Sequence, residues 1–245
     1  MGERMKNKTI FYKDHEIVFS NILEQGWNID KRILDGTLYS REDHTYESIL
    51  PLLNTGDVVY DIGAYIGTYA IPMSLEGMKV VAFEGFPDNY TRLNVNTLPY
   101  DNISTHCVAV SNEKKSSFTQ FNDCTNMPPE ARDISYVILD DYIKENNLSL
   151  PNFVKLDIEG METVALLGMT NLLEKVRPVW QIGYHKGIDI TFDEYPGFVE
   201  TKDGGFDFSI FNELDYYIFN LIGDRVNEFS VGGEYLCVPK EKITI

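Results

Sequence analysis

An acid and two glycines in a short run, Asp61-Ile-Gly-Ala-Tyr-Ile-Gly67, stand between an apolar β-type segment (58–60) and a segment able to open as a helix (68–75). A second acid, Glu84, comes 23 residues after Asp61 and ends another apolar run, 79–83. Strand, glycine turn, helix and acid-ended strand make the first half of a nucleotide-binding βαβ unit. Gly63 lets the chain turn sharply out of the strand, and Gly67 allows close approach of helix and cofactor. Ala64, Tyr65 and Thr68 complete the candidate cofactor-binding turn. Glu84 is placed to accept hydrogen bonds from two ribose hydroxyls.

The dinucleotide pattern G-x-G-x-x-G begins with glycine, and its helix N-terminus receives a pyrophosphate. Here that first position is Asp61, in Asp-x-Gly-x-x-x-Gly. A carboxylate aimed at the turn repels a pyrophosphate but suits a cofactor carrying an ammonium and a sulfonium. S-adenosylmethionine has both charges and no phosphate. An αβ turn that binds nothing would explain the glycines, but not Asp61 and Glu84 together.

A second set of candidates lies further on. Lys155, Asp157 and Glu159 alternate with Val154, Leu156 and Ile158, so period-two geometry puts three charges on one face of a central strand. Unpaired charges buried there would cost several kcal/mol each, on the order of the penalties for desolvated ions. They must pair with one another or stand at the strand's C-terminal edge, where open α/β sheets bind ligands. His185 follows the next strand, 179–184, at the same edge. His185 and Asp157 are the candidates for base or hydroxyl orientation, with Lys155 and Glu159 as a supporting ion network; Asp157 is also placed to face the cofactor. The plain alternative is an ion pair of Lys155 with Asp157 or Glu159, an ordinary first-turn acid at Glu162, and a structural His185.

The elements needed to hold these residues can be traced along the chain. Strands alternate with helical patterns from Asp57 onward, which implies a mostly parallel sheet covered on both faces. A helix starts at Pro87 and turns Tyr90, Leu93 and Leu98 inward. Further strands are read at 104–110, 153–158 and 179–184, with a helix over 161–173. Residues 216–221 and 234–238 suit an antiparallel pair closing the sheet edge. Residues 1–50 read as an N-terminal extension with short strands at 10–12 and 16–19 and a helix over 43–53, packing over the cofactor cleft; residues 51–245 form the main domain. The irregular stretches 111–133, with one strand at 117–121, and 186–206 suit acceptor-facing loops.

The net charge is −17, from 21 basic and 38 acidic residues. That balance argues against nucleic acid as a partner, because a phosphate backbone needs a basic track. No apolar run reaches the roughly 18 residues of a membrane span, and the charged N-terminus lacks a signal peptide's apolar core; a cytoplasmic location is expected. Cys107, Cys124 and Cys237 have no metal-ligand spacing, and Cys107 and Cys237 read as reduced core residues. The scattered histidines suggest no zinc site, so no metal is assigned; a divalent metal on Asp157 and neighbouring acids is the alternative to a protein base.

Taken in order, Asp61–Gly67, Ala82-Phe-Glu84 with Pro87, Leu93-Asn94, Ala109-Val-Ser111, Leu139-Asp-Asp141, Lys155-Leu-Asp-Ile-Glu-Gly-Met-Glu162, Leu167-Gly168 and Arg177-Pro178 resemble the FkbM family of S-adenosylmethionine-dependent methyltransferases. The resemblance covers roughly residues 45–185, and the run 155–162 is its most diagnostic piece. It implies a Rossmann-like class I methyltransferase fold, with a seven-stranded, mostly parallel sheet and an antiparallel edge hairpin. Ser111 joins the cofactor contacts on this ground. The implied reaction is O-methylation of a hydroxyl on a sugar in a glycan or lipid-linked saccharide. Methylation of a non-sugar small molecule such as a polyketide, or a non-catalytic module of the same fold, are the other readings. Where the family has a Glu-x-His-like segment after the fifth strand, this chain has Gly183-Tyr-His185: the histidine matches and the acid is absent.

Overall fold

The computed structural model describes residues 5–24, 26, 28–39, 45–119, 132–185, 199–200, 206–207, 209–227, 230 and 232–243. In chain order the elements are β1 (Met5–Tyr12), β2 (His15–Leu23), α1 (Asn28–Asp35), α2 (Thr45–Ile49), β3 (Val58–Ile62), α3 (Ala70–Leu75), β4 (Lys79–Phe83), α4 (Pro87–Thr97), β5 (Ile103–His106), β6 (Ala109–Ser111), β7 (Lys115–Thr119), β8 (Arg132–Ile138), α5 (Leu139–Glu145), β9 (Phe153–Leu156), α6 (Glu162–Leu167), β10 (Val179–Tyr184), β11 (Val199–Glu200), β12 (Phe206–Asp207), α7 (Ser209–Glu213), β13 (Tyr216–Asn220), β14 (Arg225–Val226) and β15 (Gly233–Pro239).

The main sheet runs β14-β13-β15-β10-β9-β3-β4-β5. Its five strands from β10 to β5 are parallel, while β15 pairs antiparallel with both β10 and β13. This is the expected mostly parallel sheet closed by an antiparallel edge pair. It has eight strands rather than seven, because the two-residue β14 adds to β13. Strand order reverses between β3 and β9, which makes the crevice above that pair the topological switch point.

Period-two alternation sorts the core onto the two faces. Tyr60, Ile62, Val81, Phe83, Val154, Leu156, Trp180 and Ile182 pack on one side. Val59, Val80, Ala82, Phe153 and Val179 pack on the other, against Tyr69, Ala70 and Met73. Asp61 and Lys155 fall on the second face by the same alternation, so both charges are buried.

Several expected elements differ. Residues 104–110 are not one strand: β5 stops at His106, and β6 joins β8 and β7 in a separate three-stranded sheet. The strand expected over 153–158 ends at Leu156, because Glu159 (φ 56) and Gly160 (φ 103) turn the chain away. The helix expected over 161–173 is divided into α6 and a π-helical turn at Leu172–Val176. Leu93 is buried as expected, but Leu98, beyond the end of α4, is 81% exposed. The N-terminal strands are longer than read and pair as a hairpin; α1 was not anticipated, and the helix over 43–53 is α2 followed by a 3-10 turn at Leu50–Leu52. Cys237 is buried and Cys107 half-buried, both as free thiols; Cys124 lies outside the described residues. So do residues 120–131 of the stretch 111–133 and nearly all of 186–206, the two segments expected from sequence to face the acceptor. Among the described residues, no helix is long and apolar enough to cross a membrane.

Candidate active site at the carboxyl edge of the sheet

The turn after β3 is built by steric exclusion. Gly63 has φ +83, and a Cβ there would lie 2.0 Å from the Asp157 carbonyl oxygen. Backbone cannot yield by that much, so glycine is required for the turn to sit against the loop after β9. Gly63 N–H and Ala64 N–H both donate to the Phe83 carbonyl at 3.0 Å. Gly67, at φ +95, makes its close approach to Leu93 and Thr97 of α4. The Thr68 carbonyl accepts from the Tyr39 and Tyr46 hydroxyls at 2.7 and 2.9 Å.

Glu84, just past β4, is 6% exposed. Its Oε2 accepts from Tyr65 N–H and its Oε1 from Phe86 N–H, each at 2.9 Å. Burial lifts its pKa to about 7 against the pull of these two bonds. A carboxylate offers about four lone-pair sites, and with Asn89 as a third donor, acceptor capacity remains for a ribose hydroxyl.

Asp61 is fully buried, and neither carboxylate oxygen makes a well-formed hydrogen bond among the described residues, although the Lys155 ammonium and the Ala70 N–H face it. Burial raises its pKa, and the Lys155 ammonium 3.4 Å away opposes that rise. Lys155 also donates to the Gly63 carbonyl at 3.0 Å and lies 3.5 Å from Asp157 Oδ2. Burial disfavours the Lys155 charge, but Asp157 and Asp61 outweigh it and the ammonium is held. The ion pair with Asp157 is thus present, and extends to the buried acid of the glycine turn.

His185, directly after β10, is enclosed by three acids. Its Nδ1 lies 3.0 Å from Glu162 Oε1 and 3.7 Å from Asp157 Oδ1, and its Nε2 lies 3.9 Å from Glu159 Oε2. A carboxylate only accepts, so Nδ1–H donates to Glu162, and Nε2 is left on the side of Glu159. The hydrogen bond to Glu162 is the main cause that raises the His185 pKa to about 9, against burial. Burial, together with Asp157 and Glu162, raises the Glu159 pKa, which His185 in part restrains. Asp157, Glu159 and His185 bring one ligand atom each within 4.8 Å of one another, a spacing a cation could bridge.

Gly183 accounts for the acid absent from Gly183-Tyr-His185. A Cβ on it would meet the Asp157 carboxyl carbon at 3.0 Å. The space that a side chain at 183 would take is filled by Asp157, and the carboxylate beside His185 comes from the β9–α6 segment.

The site therefore brings Asp61, Gly63, Ala64, Tyr65, Glu84, Lys155, Asp157, Glu159 and His185 to one edge. Ser111 is buried on β6, where its carbonyl lies against Gly168 and its hydroxyl reaches Asn112 at 3.4 Å. Glu162 was not singled out from sequence. It is 1% exposed and also accepts from Ile158 N–H at 3.0 Å and Gly160 N–H at 3.0 and 3.2 Å. Its place in the run 155–162 was the available signal; first-turn acids on helices are too common to single one out.

The model of the family described as Methyltransferase FkbM domain matches residues 61–218. Hexuronic acid methyltransferase AglP of Haloferax volcanii is 32% identical over 140 residues, covering 54% of this chain and 58% of that protein. The chain thus spans less than two-thirds of that relative's length. Among solved structures, methyltransferase FkbM from Methylobacillus flagellatus has 19% identity and a TM-score of 0.49, over 76% of this chain and 45% of the other. A SAM-dependent methyltransferase from Agrobacterium tumefaciens has 10% identity and a TM-score of 0.48, over 98% and 71%. With a family match that covers the glycine turn, the run 155–162 and the strands carrying both, this chain belongs to the FkbM family of S-adenosylmethionine-dependent methyltransferases.

Proposed function

We propose that this chain methylates a hydroxyl group of a sugar in a saccharide acceptor. The observation that carries the reading is the Glu162–His185 pair, linked through Asp157 and Lys155 to Asp61 of the glycine turn. The similarity to a hexuronic acid methyltransferase supports a sugar acceptor. The strongly negative chain is a poor surface for a nucleic acid.

The residues fit the cofactor. Glu84 keeps acceptor capacity for a ribose hydroxyl, and Asp61 is a buried carboxylate at the turn whose oxygens lack a well-formed hydrogen bond among the described residues. When bound, S-adenosylmethionine supplies a methyl group already activated by its sulfonium. The chain's own task is to hold a hydroxyl in line and remove its proton. Glu162 fixes the His185 ring through Nδ1, so Nε2 can take that proton once the imidazole is neutral. Asp157 orients the hydroxyl or the ring, and Lys155 anchors Asp157 to the glycine turn.

Mass spectrometry tests this directly. Incubation with S-adenosylmethionine and a hexuronate-containing oligosaccharide should add one methyl group, located on a ring hydroxyl by fragmentation. Transfer to a polyketide-type alcohol with none to any saccharide would overturn the acceptor class.

Glu84 gives a second test, on the cofactor alone. Glu84→Ala should weaken S-adenosylhomocysteine binding about tenfold or more, since hydrogen bonds to a charged group contribute about 1.5–3 kcal/mol each. In the wild type, affinity should fall as pH drops through about 7, where Glu84 gains a proton and loses acceptor capacity. A calorimetric Kd that is flat from pH 5 to 8 and unchanged in Glu84→Ala would show that another residue holds the ribose.

A further inference from the structure

The glycine turn is held from behind by the N-terminal hairpin and α1. Tyr65 adopts a left-handed conformation, φ 53, which is unfavourable for a residue with a Cβ. Its N–H donates to Glu84, so its backbone orients the acid at the crevice. Its phenol is clamped elsewhere: it donates to Asp30 Oδ2 and accepts from Arg92 Nη1 at 3.0 Å. The Arg92 guanidinium lies 5.0 Å from the Tyr65 ring centroid, and its Nη2 is 2.5 Å from Asp30 Oδ1. Asp30 is fully buried on α1, and its Oδ1 also accepts from Leu23 N–H of β2 at 3.2 Å. A Cβ on Gly26 would lie 2.4 Å from Asp30 Oδ2, so glycine there lets the chain pass close to this carboxylate.

The neighbouring turn residues are tied to the same module. The Ile66 carbonyl accepts from Asn96 Nδ2 at 3.0 Å, and Asn96 Oδ1 accepts from Ser20 N–H of β2 at 2.8 Å. Tyr39 and Tyr46 hold the Thr68 carbonyl. Ile66 and Ile71 complete an apolar cluster with Ile10, Ile17, Phe19 and Ile33 of the hairpin and α1.

We propose that the N-terminal hairpin and α1 belong to the cofactor-binding machinery, with Asp30 and Arg92 as positioning residues that hold Tyr65 so that its N–H fixes Glu84. This inference rests on the assignment of the turn and Glu84 to S-adenosylmethionine. A buried Asp–Arg pair stands here, where the extension holds the phenol of a turn residue. The hydroxyl of Tyr65 is the link between them.

Tyr65→Phe removes that link and leaves Asp30 and Arg92 paired with each other. Calorimetry of the full chain with S-adenosylhomocysteine should show a Kd raised about tenfold, the scale of one charge-assisted hydrogen bond. The thermal midpoint without ligand should stay within a few degrees, and amide exchange at 61–68 should quicken. A purely structural role would lower the midpoint and leave the Kd of the folded protein unchanged, which overturns the proposal. If Tyr65→Phe does not fold, Tyr39→Phe combined with Tyr46→Phe, which frees the Thr68 carbonyl, carries the same expected Kd rise and the same overturning result. A wild-type chain that binds no S-adenosylhomocysteine overturns the cofactor assignment itself; equal binding by wild type and variant overturns only the clamp.

Discussion

Replacing His185 with alanine is expected to lower turnover by about 10²–10⁴, the scale of general acid–base catalysis, while S-adenosylhomocysteine binding stays within about twofold. The geometry sets both halves of that expectation. His185 is oriented through Nδ1 by Glu162, and its contacts are to Glu162, Asp157 and Glu159, not to Asp61 or Glu84. The pH dependence follows from the sign of its shift. With a pKa raised to about 9, the ring is an imidazolium near neutrality and Nε2 cannot accept a proton. Turnover over free substrate, kcat/KM, should therefore climb about tenfold per pH unit and level off above about 9. The favourable interactions of the charged ring act in the opposite direction on stability. They are fully present below the ordinary histidine pKa and are lost as pH rises through about 9. If His185→Ala keeps near-normal turnover and a chelator abolishes it, then Asp157, Glu159 and His185 serve a cation and the base assignment is wrong.

Lys155→Met should destabilise the fold by about 3–5 kcal/mol, the usual cost of removing one partner from a buried ion pair. Lys155 is the ammonium beside fully buried Asp61, and it also caps the Gly63 carbonyl. Without it, Asp61 is an uncompensated carboxylate in the sheet core. Adding Asp61→Asn should recover much of the loss, since the charge then disappears. The deficit of the single variant should also shrink as pH falls, because burial already raises the Asp61 pKa and protonation neutralises it. Urea unfolding of wild type, Lys155→Met and the double variant at pH 8 and pH 5 tests this. A loss below about 1 kcal/mol at pH 8, or a double variant no more stable than the single, would sink it.

The glycine turn and its acid-ended second strand were readable in the sequence because their requirements are local. Gly63 must be glycine where the chain leaves β3, and an acid after a strand is visible as such. Four of the five parallel strands, β3, β4, β9 and β10, were readable for a similar reason, since each is a short, mainly apolar run. Partners distant in sequence were not. The strand-like run 104–110 does not show that its halves join different sheets. Alternation through Ile158 continued past the true end of β9, because Glu159 gives no local sign of its left-handed backbone. Glu162 looked like any first-turn acid, although it is buried beneath His185. Asp30 and Arg92 are 62 residues apart and meet only after the hairpin docks, so no pattern within either segment announces the pair.

The β3–β9 junction also constrains the order in which this protein can acquire its site. Asn152 caps Val58 N–H from 94 positions away, and Lys155 reaches the Gly63 carbonyl across 92. Closing a loop of that span carries an entropy penalty before any contact offsets it, which slows folding in chains dominated by distant pairings. Asp61 is fully buried, and its counter-charge, Lys155, stands on β9. Until that strand inserts, Asp61 is better left hydrated than buried, so β3 cannot settle into a dry interior by itself. Pairing of β9 with both β3 and β10 thus joins the two halves of the sheet and brings Lys155 to Asp61.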